Sequence, residues 1–151
     1  MKNLLILIVI IIIGYLSYNI FIGKRKTYPK FEMADVSKHM IKNEKMKNYN
    51  FLVDMRSDSY FPSFLVDKCE NVLIELCLNI EKEKPQNLKH LYKLTHYATD
   101  KINSLEDEFF ENGSEIETAA RETFAMDFGE IAKAYSFEEA NIEDLISTRT
   151  W

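Results

Sequence analysis

The stretch LKHLYKLTHYATDKINSLEDEF, Leu88 to Phe109, decides the fold. Its positions Leu88, Leu91, Thr95, Ala98, Ile102, Leu105 and Phe109 alternate spacings of three and four without a break. That period marks one face of an α-helix, not the two-residue alternation of a strand. A face this long must be buried against other helices.

The neighbours on either side repeat the pattern. Pro62 suits a helix start, since its missing N–H is not needed in the first turn. Leu65, Cys69, Val72, Leu73, Leu76 and Ile80 then form a stripe that Pro85 ends. Downstream, Asn112 and Gly113 supply a helix stop, and Ser114-Glu115-Ile116-Glu117 reads as a capping box opening the next helix. Its stripe is Ile116, Ala120, Phe124, Phe128, Ile131 and Tyr135. Ser136-Phe137-Glu138-Glu139 repeats the start signal ahead of Ile142, Leu145 and Ile146. A short helix between Tyr49 and Tyr60 buries Phe51, Leu52 and Met55. The expected body is all-α, a small bundle of about five helices over residues 49–151, enough chain for one core.

The N-terminal third reads differently. Asn3 to Gly23 carry no charge, and Leu4 to Ile13 are all Leu, Ile or Val. As a helix these residues reach roughly 31 Å, against a hydrocarbon core of about 30 Å. At about 0.5 kcal/mol per central Leu or Ile, the apolar run favours insertion by roughly 5 kcal/mol. No small-residue cleavage pattern follows, so residues 1–23 read as an uncleaved transmembrane anchor rather than a signal peptide. Lys24, Arg25, Lys26 and Lys30 outweigh Lys2 and the terminal amine, placing the body in the cytoplasm of a single-pass membrane protein. Residues 24–48 read as a basic linker. A short helix fits around Asp35–Lys47, but its apolar positions Val36, Met40 and Ile41 are sparse, which predicts a surface-lying or mobile segment with lysines near lipid headgroups.

Composition agrees with this division. Of the 151 residues 46% are hydrophobic and 28% charged, which excludes disordered, collagen-like and disulfide-scaffold classes. Residues 1–48 hold nine Lys/Arg against three Asp/Glu, and residues 49–151 ten against twenty-one. An acidic body repels nucleic-acid backbones, so no nucleic-acid partner is expected. Cys69 and Cys77 lie eight apart on one predicted helix and cannot bridge within it. They suit buried thiols in a reducing compartment.

The succession FLVDM, YFPSFLVDK, LYKLTHYAT, GSEIETAARE, MDFGEIAKAYSF and LISTRTW resembles a bacterial family known only as a domain of unknown function (DUF5713-like). The resemblance covers residues 49–151, with SEIETAARE and the terminal Arg-x-Trp its most specific parts. It implies no activity. Two departures stand out: Ser136 where glycine is expected after Ala-Tyr, which disfavours a left-handed helix cap there, and Thr150 where an acid is expected before Trp151.

Two groups of residues are candidates for function. Glu106, Asp107, Glu108 and Glu111, with Glu115 and Glu117 beyond, form an acidic surface that suits a divalent cation, a basic protein partner or simply a solvated helix end. Four of these precede a helix C-terminus, where acids are mildly unfavourable. Aligned as a calcium loop they fail, since Phe110 and Ala119 fall on ligand positions. The second group is a polar cluster of His96, Glu117, Arg121 and Asp127. Glu117 and Arg121 are a favourable four-residue pair. Asp127, between Met126 and Phe128, needs a donor such as Arg121, His96 or Tyr92 if buried. His96 and Asp100 share a face, but two ligands make no metal site and no Glu stands three before any histidine, so no metal and no cofactor are expected.

No phosphate loop, Cys-x-x-Cys pair, nucleophile elbow or His-Glu-x-x-His helix occurs. The leading reading is a membrane-anchored, non-enzymatic protein-binding module, an immunity or toxin-neutralising role being one form. The alternative is a small hydrolase or metal-dependent enzyme built on the polar cluster. Self-association at the membrane is a third possibility, the membrane lipid itself being met through residues 3–23.

Overall fold

The computed structural model describes residues 10–15, 31–32 and 34–151. Within these the secondary structure is helical, with no strand: a 3₁₀ turn η1 (Lys38–Met40), then α1 (Glu44–Lys47), α2 (Val53–Ser57), α3 (Ser63–Glu83), α4 (Leu88–Asn103), α5 (Glu106–Glu111), α6 (Thr118–Ala134) and α7 (Ile142–Leu145). Most of the expected anchor lies outside the described residues, although residues 10–15 are helical. Among the described residues no helix is long and apolar enough to cross a membrane.

The core follows the stripes read from the sequence. Leu65, Cys69, Val72, Leu73, Leu76 and Ile80 of α3 are all buried, as are Leu91, Thr95, Ala98 and Ile102 of α4 and Ala120, Phe124, Phe128 and Ile131 of α6. Leu88 and Tyr135, the outer ends of two stripes, pack against the core half-buried. Helices α3 and α4 turn back on each other, so that Lys101 pairs with Glu75 and, just beyond α4, Glu108 pairs with Lys68. Short α2 contributes Met55, with Phe51 and Leu52 buried just ahead of it.

The helix expected to run unbroken to Phe109 divides at Ser104. Leu105 N–H tightens to the Ile102 carbonyl, and the Ser104 hydroxyl donates to the Lys101 carbonyl at 2.6 Å. A side-chain hydroxyl bonded back into its own turn bends or ends a helix. Asn103, buried at this break, donates to the Thr148 carbonyl and accepts from Thr150 N–H, strapping the C-terminal segment across the corner. Glu106, Asp107 and Glu108 therefore occupy the first turn of α5, where the helix dipole favours acids, and not a C-terminus that opposes them.

Both expected start signals serve as stop signals. Gly113 takes φ +75° after α5, its N–H bonding to Phe110 and that of Ser114 to Phe109. Ser136 takes φ +69° after α6, its N–H bonding to Lys133 and that of Phe137 to Ala132. These paired bonds define the Schellman ending, whose left-handed residue favours glycine. Ser136 thus adopts the conformation its side chain disfavours. Ser114 is used up in ending α5, its buried hydroxyl without a partner among the described residues. Helix α6 begins instead at Thr118 behind Glu117, which makes no side-chain cap, and α7 is capped by Asn141.

The segment expected to lie along the surface is partly built into the body. Ile41 and Met46 are fully buried. Glu81, near the end of α3, accepts the backbone N–H groups of Lys42 and Asn43 at 2.9 Å each. The Asn43 amide donates to the Ala134 carbonyl at 2.8 Å, closing the exposed end of α6. Residues 34–48 are therefore an arm whose few apolar side chains are spaced to enter the core.

Candidate functional site

Among the described residues, no side-chain hydrogen bond or ion pair joins any two of His96, Glu117, Arg121 and Asp127. Glu117 and Arg121 are exposed, one at the start of α6 and one on its first turn. Their link is the helical bond from Arg121 N–H to the Glu117 carbonyl, 2.9 Å. Asp127 is buried, at 1% exposure. Its donors differ from those anticipated: they are the Tyr49 hydroxyl and the Leu52 backbone N–H, both at 2.8 Å.

Leu52 has φ +56°, a left-handed conformation that costs a side-chain-bearing residue free energy. That conformation accompanies an N–H directed at Asp127. Burial raises the Asp127 carboxyl to about 6; Leu52 N–H and the Tyr49 hydroxyl hold it down, and Asp54 and Glu70 push it up. The Tyr49 hydroxyl is pushed upward in turn by burial and by its acidic partner. The sequence marked Asp127 through its apolar neighbours. It could not reveal partners seventy-five and seventy-eight positions upstream.

His96 belongs to a different contact. Its Nε2 lies 2.7 Å from the Asp144 carbonyl and 2.9 Å from Ser147 Oγ. A serine beside an imidazole is the start of a nucleophile and base pair. A carbonyl oxygen only accepts, so the 2.7 Å contact requires the proton on Nε2, and that nitrogen has no lone pair with which to take one from Ser147. His96 is also stacked 6.1 Å from Tyr92, and its own carbonyl accepts from the Thr148 hydroxyl. The arrangement ties the C-terminal segment to α4.

The acidic residues gather on α5. Asp107 and Glu111 are exposed, and Glu106 and Glu108 half-buried. Glu108 is paired with Lys68, and Glu106 accepts the Thr150 hydroxyl. Among the described residues no group of three or more His, Cys, Asp or Glu side chains could hold a metal ion.

A cleft of about 470 Å³ opens where the arm meets the ends of α3 and α6, lined by Lys42, Asn43, Ile80, Glu81, Lys84, Pro85, Gln86, Tyr135 and Phe137. The Tyr135 hydroxyl donates to Glu81 at 2.9 Å. Cys77 lies in contact with that hydroxyl, its thiol pushed up to about 12 by burial. Cys69 is likewise raised by burial. Neither cysteine is poised as a thiolate, which agrees with packed thiols.

The chain belongs to DUF5713, a family of unknown function, which it matches over residues 45–151. The matched span begins at α1 and takes in the core, Asp127 and the C-terminal strap. No curated protein and no solved structure matches the chain.

Proposed function

We propose that the protein is a membrane-anchored binding module. The uncharged segment 3–23 holds it in the bilayer, the body faces the cytoplasm, and the acidic face of α5 receives a basic protein partner. Neutralisation of a basic toxin is one concrete form of that role.

The observation that carries this reading is the placement of acids on α5. Three stand in its first turn and Glu111 in its last, on a six-residue helix whose apolar anchor is buried Phe109. Asp107 and Glu111 point outward. The groups that chemistry would draw on are committed to the fold, His96 to the Asp144 carbonyl and Asp127 to Tyr49 and Leu52. An exposed acidic face gives a partner charge complementarity, which acts mainly on association rate and selectivity.

The test is purification of the full-length chain from its own membranes, identification of any stoichiometric basic partner, and measurement of its affinity for Asp107→Lys/Glu111→Lys. The double reversal should weaken binding by about tenfold or more and flatten its salt dependence. Unchanged affinity would remove α5 from the reading. A chain that leaves the membrane in alkaline carbonate would remove the anchor.

A further inference from the structure

The body's acidity is interrupted at one place. From residue 82 to residue 97 the chain carries Lys82, Lys84, Lys89 and Lys93 against a single acid, Glu83. Lys89, Lys93 and Tyr97 follow at four-residue intervals along α4, a spacing that sets them on one face. All three are exposed, Tyr97 to 47%. Lys82 and Lys84 continue the positive charge around the turn between α3 and α4, and both are exposed. Among the described residues these four ammonium groups have no acid partner. Lys101, the next cation on α4, is instead buried and neutralised by Glu75 at 2.7 Å. The nearest acid along the helix, Asp100, is engaged with the Asn103 amide.

Phe31, three residues ahead of the arm, lies against Tyr97 of this face. Phe31 meets Tyr97 edge-on with ring centroids 5.6 Å apart, and the Lys101 ammonium sits 5.8 Å from the Phe31 ring. From Gly23, the end of the uncharged segment, to Phe31 is eight residue steps. Fully extended chain covers at most about 3.5 Å per step, so Phe31 cannot stand more than about 28 Å from the end of that segment.

We infer that the face formed by Lys89, Lys93 and Tyr97, with Lys82 and Lys84 just ahead of it in the chain, rests on the anionic headgroups of the leaflet to which the chain is tethered. This rests on the anchoring reading above. Lysines near an anionic leaflet gain electrostatic attraction, and amphipathic aromatic rings favour the headgroup level. The tether keeps the local headgroup concentration high, so a weak surface suffices. The same leaflet repels the acids elsewhere on the body, which turns the basic face toward it.

The experiment places the full-length chain in vesicles of neutral phosphatidylcholine, or of phosphatidylcholine with anionic phosphatidylglycerol, and measures amine labelling of each lysine by peptide mass spectrometry. Lys82, Lys84, Lys89 and Lys93 should label about fivefold more slowly on anionic vesicles, and the difference should vanish at high salt. Lys45 and Lys133, whose ammonium groups pair with Glu130, serve as internal controls and should not change. Lys89→Glu/Lys93→Glu, both at exposed positions, should abolish the protection of Lys82 and Lys84. Equal labelling on both vesicles, with the chain resistant to carbonate, overturns the docked face and leaves the anchor standing. Charge-dependent protection of a chain that carbonate extracts upholds the face and overturns the anchor. Equal labelling of an extracted chain overturns both.

Discussion

Asp127 and Lys101 are both charged residues buried to within a few percent, yet the fold holds them by different means. Lys101 meets a full countercharge, Glu75, and lies beneath two aromatic rings, with Tyr97 5.2 Å and Phe31 5.8 Å from its ammonium. Among the described residues Asp127 meets only neutral donors, a tyrosine hydroxyl and a backbone N–H presented by a strained residue. The first pair is made of side chains and is replaceable as a unit. The second is fixed partly by a main-chain N–H, which no substitution short of proline removes.

The difference should be largest when one partner of the ion pair is deleted. Glu75→Ala leaves the Lys101 charge buried and should cost about 3 kcal/mol in urea unfolding. Glu75→Leu/Lys101→Met, which removes both charges, should fall within about 1 kcal/mol of the parent. If the double variant is as unstable as the single one, Glu75 and Lys101 are not an interchangeable pair.

Asp127 should separate by acceptor capacity. Asp127→Ala strands the Leu52 N–H and the Tyr49 hydroxyl, and should cost about 2–3 kcal/mol. Asp127→Asn can accept from Leu52 through its carbonyl and donate to the Tyr49 oxygen through its amide, so its effect should stay under about 1 kcal/mol. Equal losses in both variants would show that the charge, rather than the acceptor, holds residues 49–57 in place.

The pH dependence follows from the same burial. The folded Asp127 carboxyl stands at about 6 against an ordinary value of 3.8, so the folded state keeps its proton when the unfolded chain has lost it. The stability this provides is complete below about pH 4 and is lost as pH rises through about 6, to the extent of roughly 2–3 kcal/mol. Subtracting the unfolding profile of Asp127→Asn from that of the parent should isolate this slope. A flat difference curve would place the carboxyl near its ordinary value.

The smallest effect concerns strain without a buried charge. Leu52 and Ser136 are both left-handed, but only Leu52 presents an N–H to a carboxylate. Ser136→Gly should therefore stabilise the chain by about 0.5–1 kcal/mol with no change in its pH profile. No gain in melting temperature would show that Ser136 bears little strain at the end of α6.

The core was legible because burial follows helical period whatever the neighbours are. Leu91, Ile102, Phe124 and Phe128 could be assigned to it without knowing which helix each one meets. Helix ends were less legible. Ser114 and Ser136 carry a start signal, yet the chain uses both to stop a helix, because a Schellman ending takes its bonds from backbone groups that any residue supplies. The arm is hard to read for a related reason: Ile41 and Met46 are too few to show a period, and the segment is held by Glu81, far along α3, and by the Ala134 carbonyl at the end of α6.

The candidate sites divide in the same way. The acidic α5, the basic stripe of α4, the uncharged segment 3–23 and the burial of Asp127 were set by composition and spacing, since charge and hydropathy are properties of residues taken singly or in a local window. The partners of Asp127, the commitment of His96 to the Asp144 carbonyl, the neutralisation of Lys101 and the contact of Phe31 with Tyr97 were decided only by tertiary structure. Each depends on a contact between residues 26 or more positions apart. A hydrogen bond is set by ångström-scale distance and angle, and those exist only once the helices have packed.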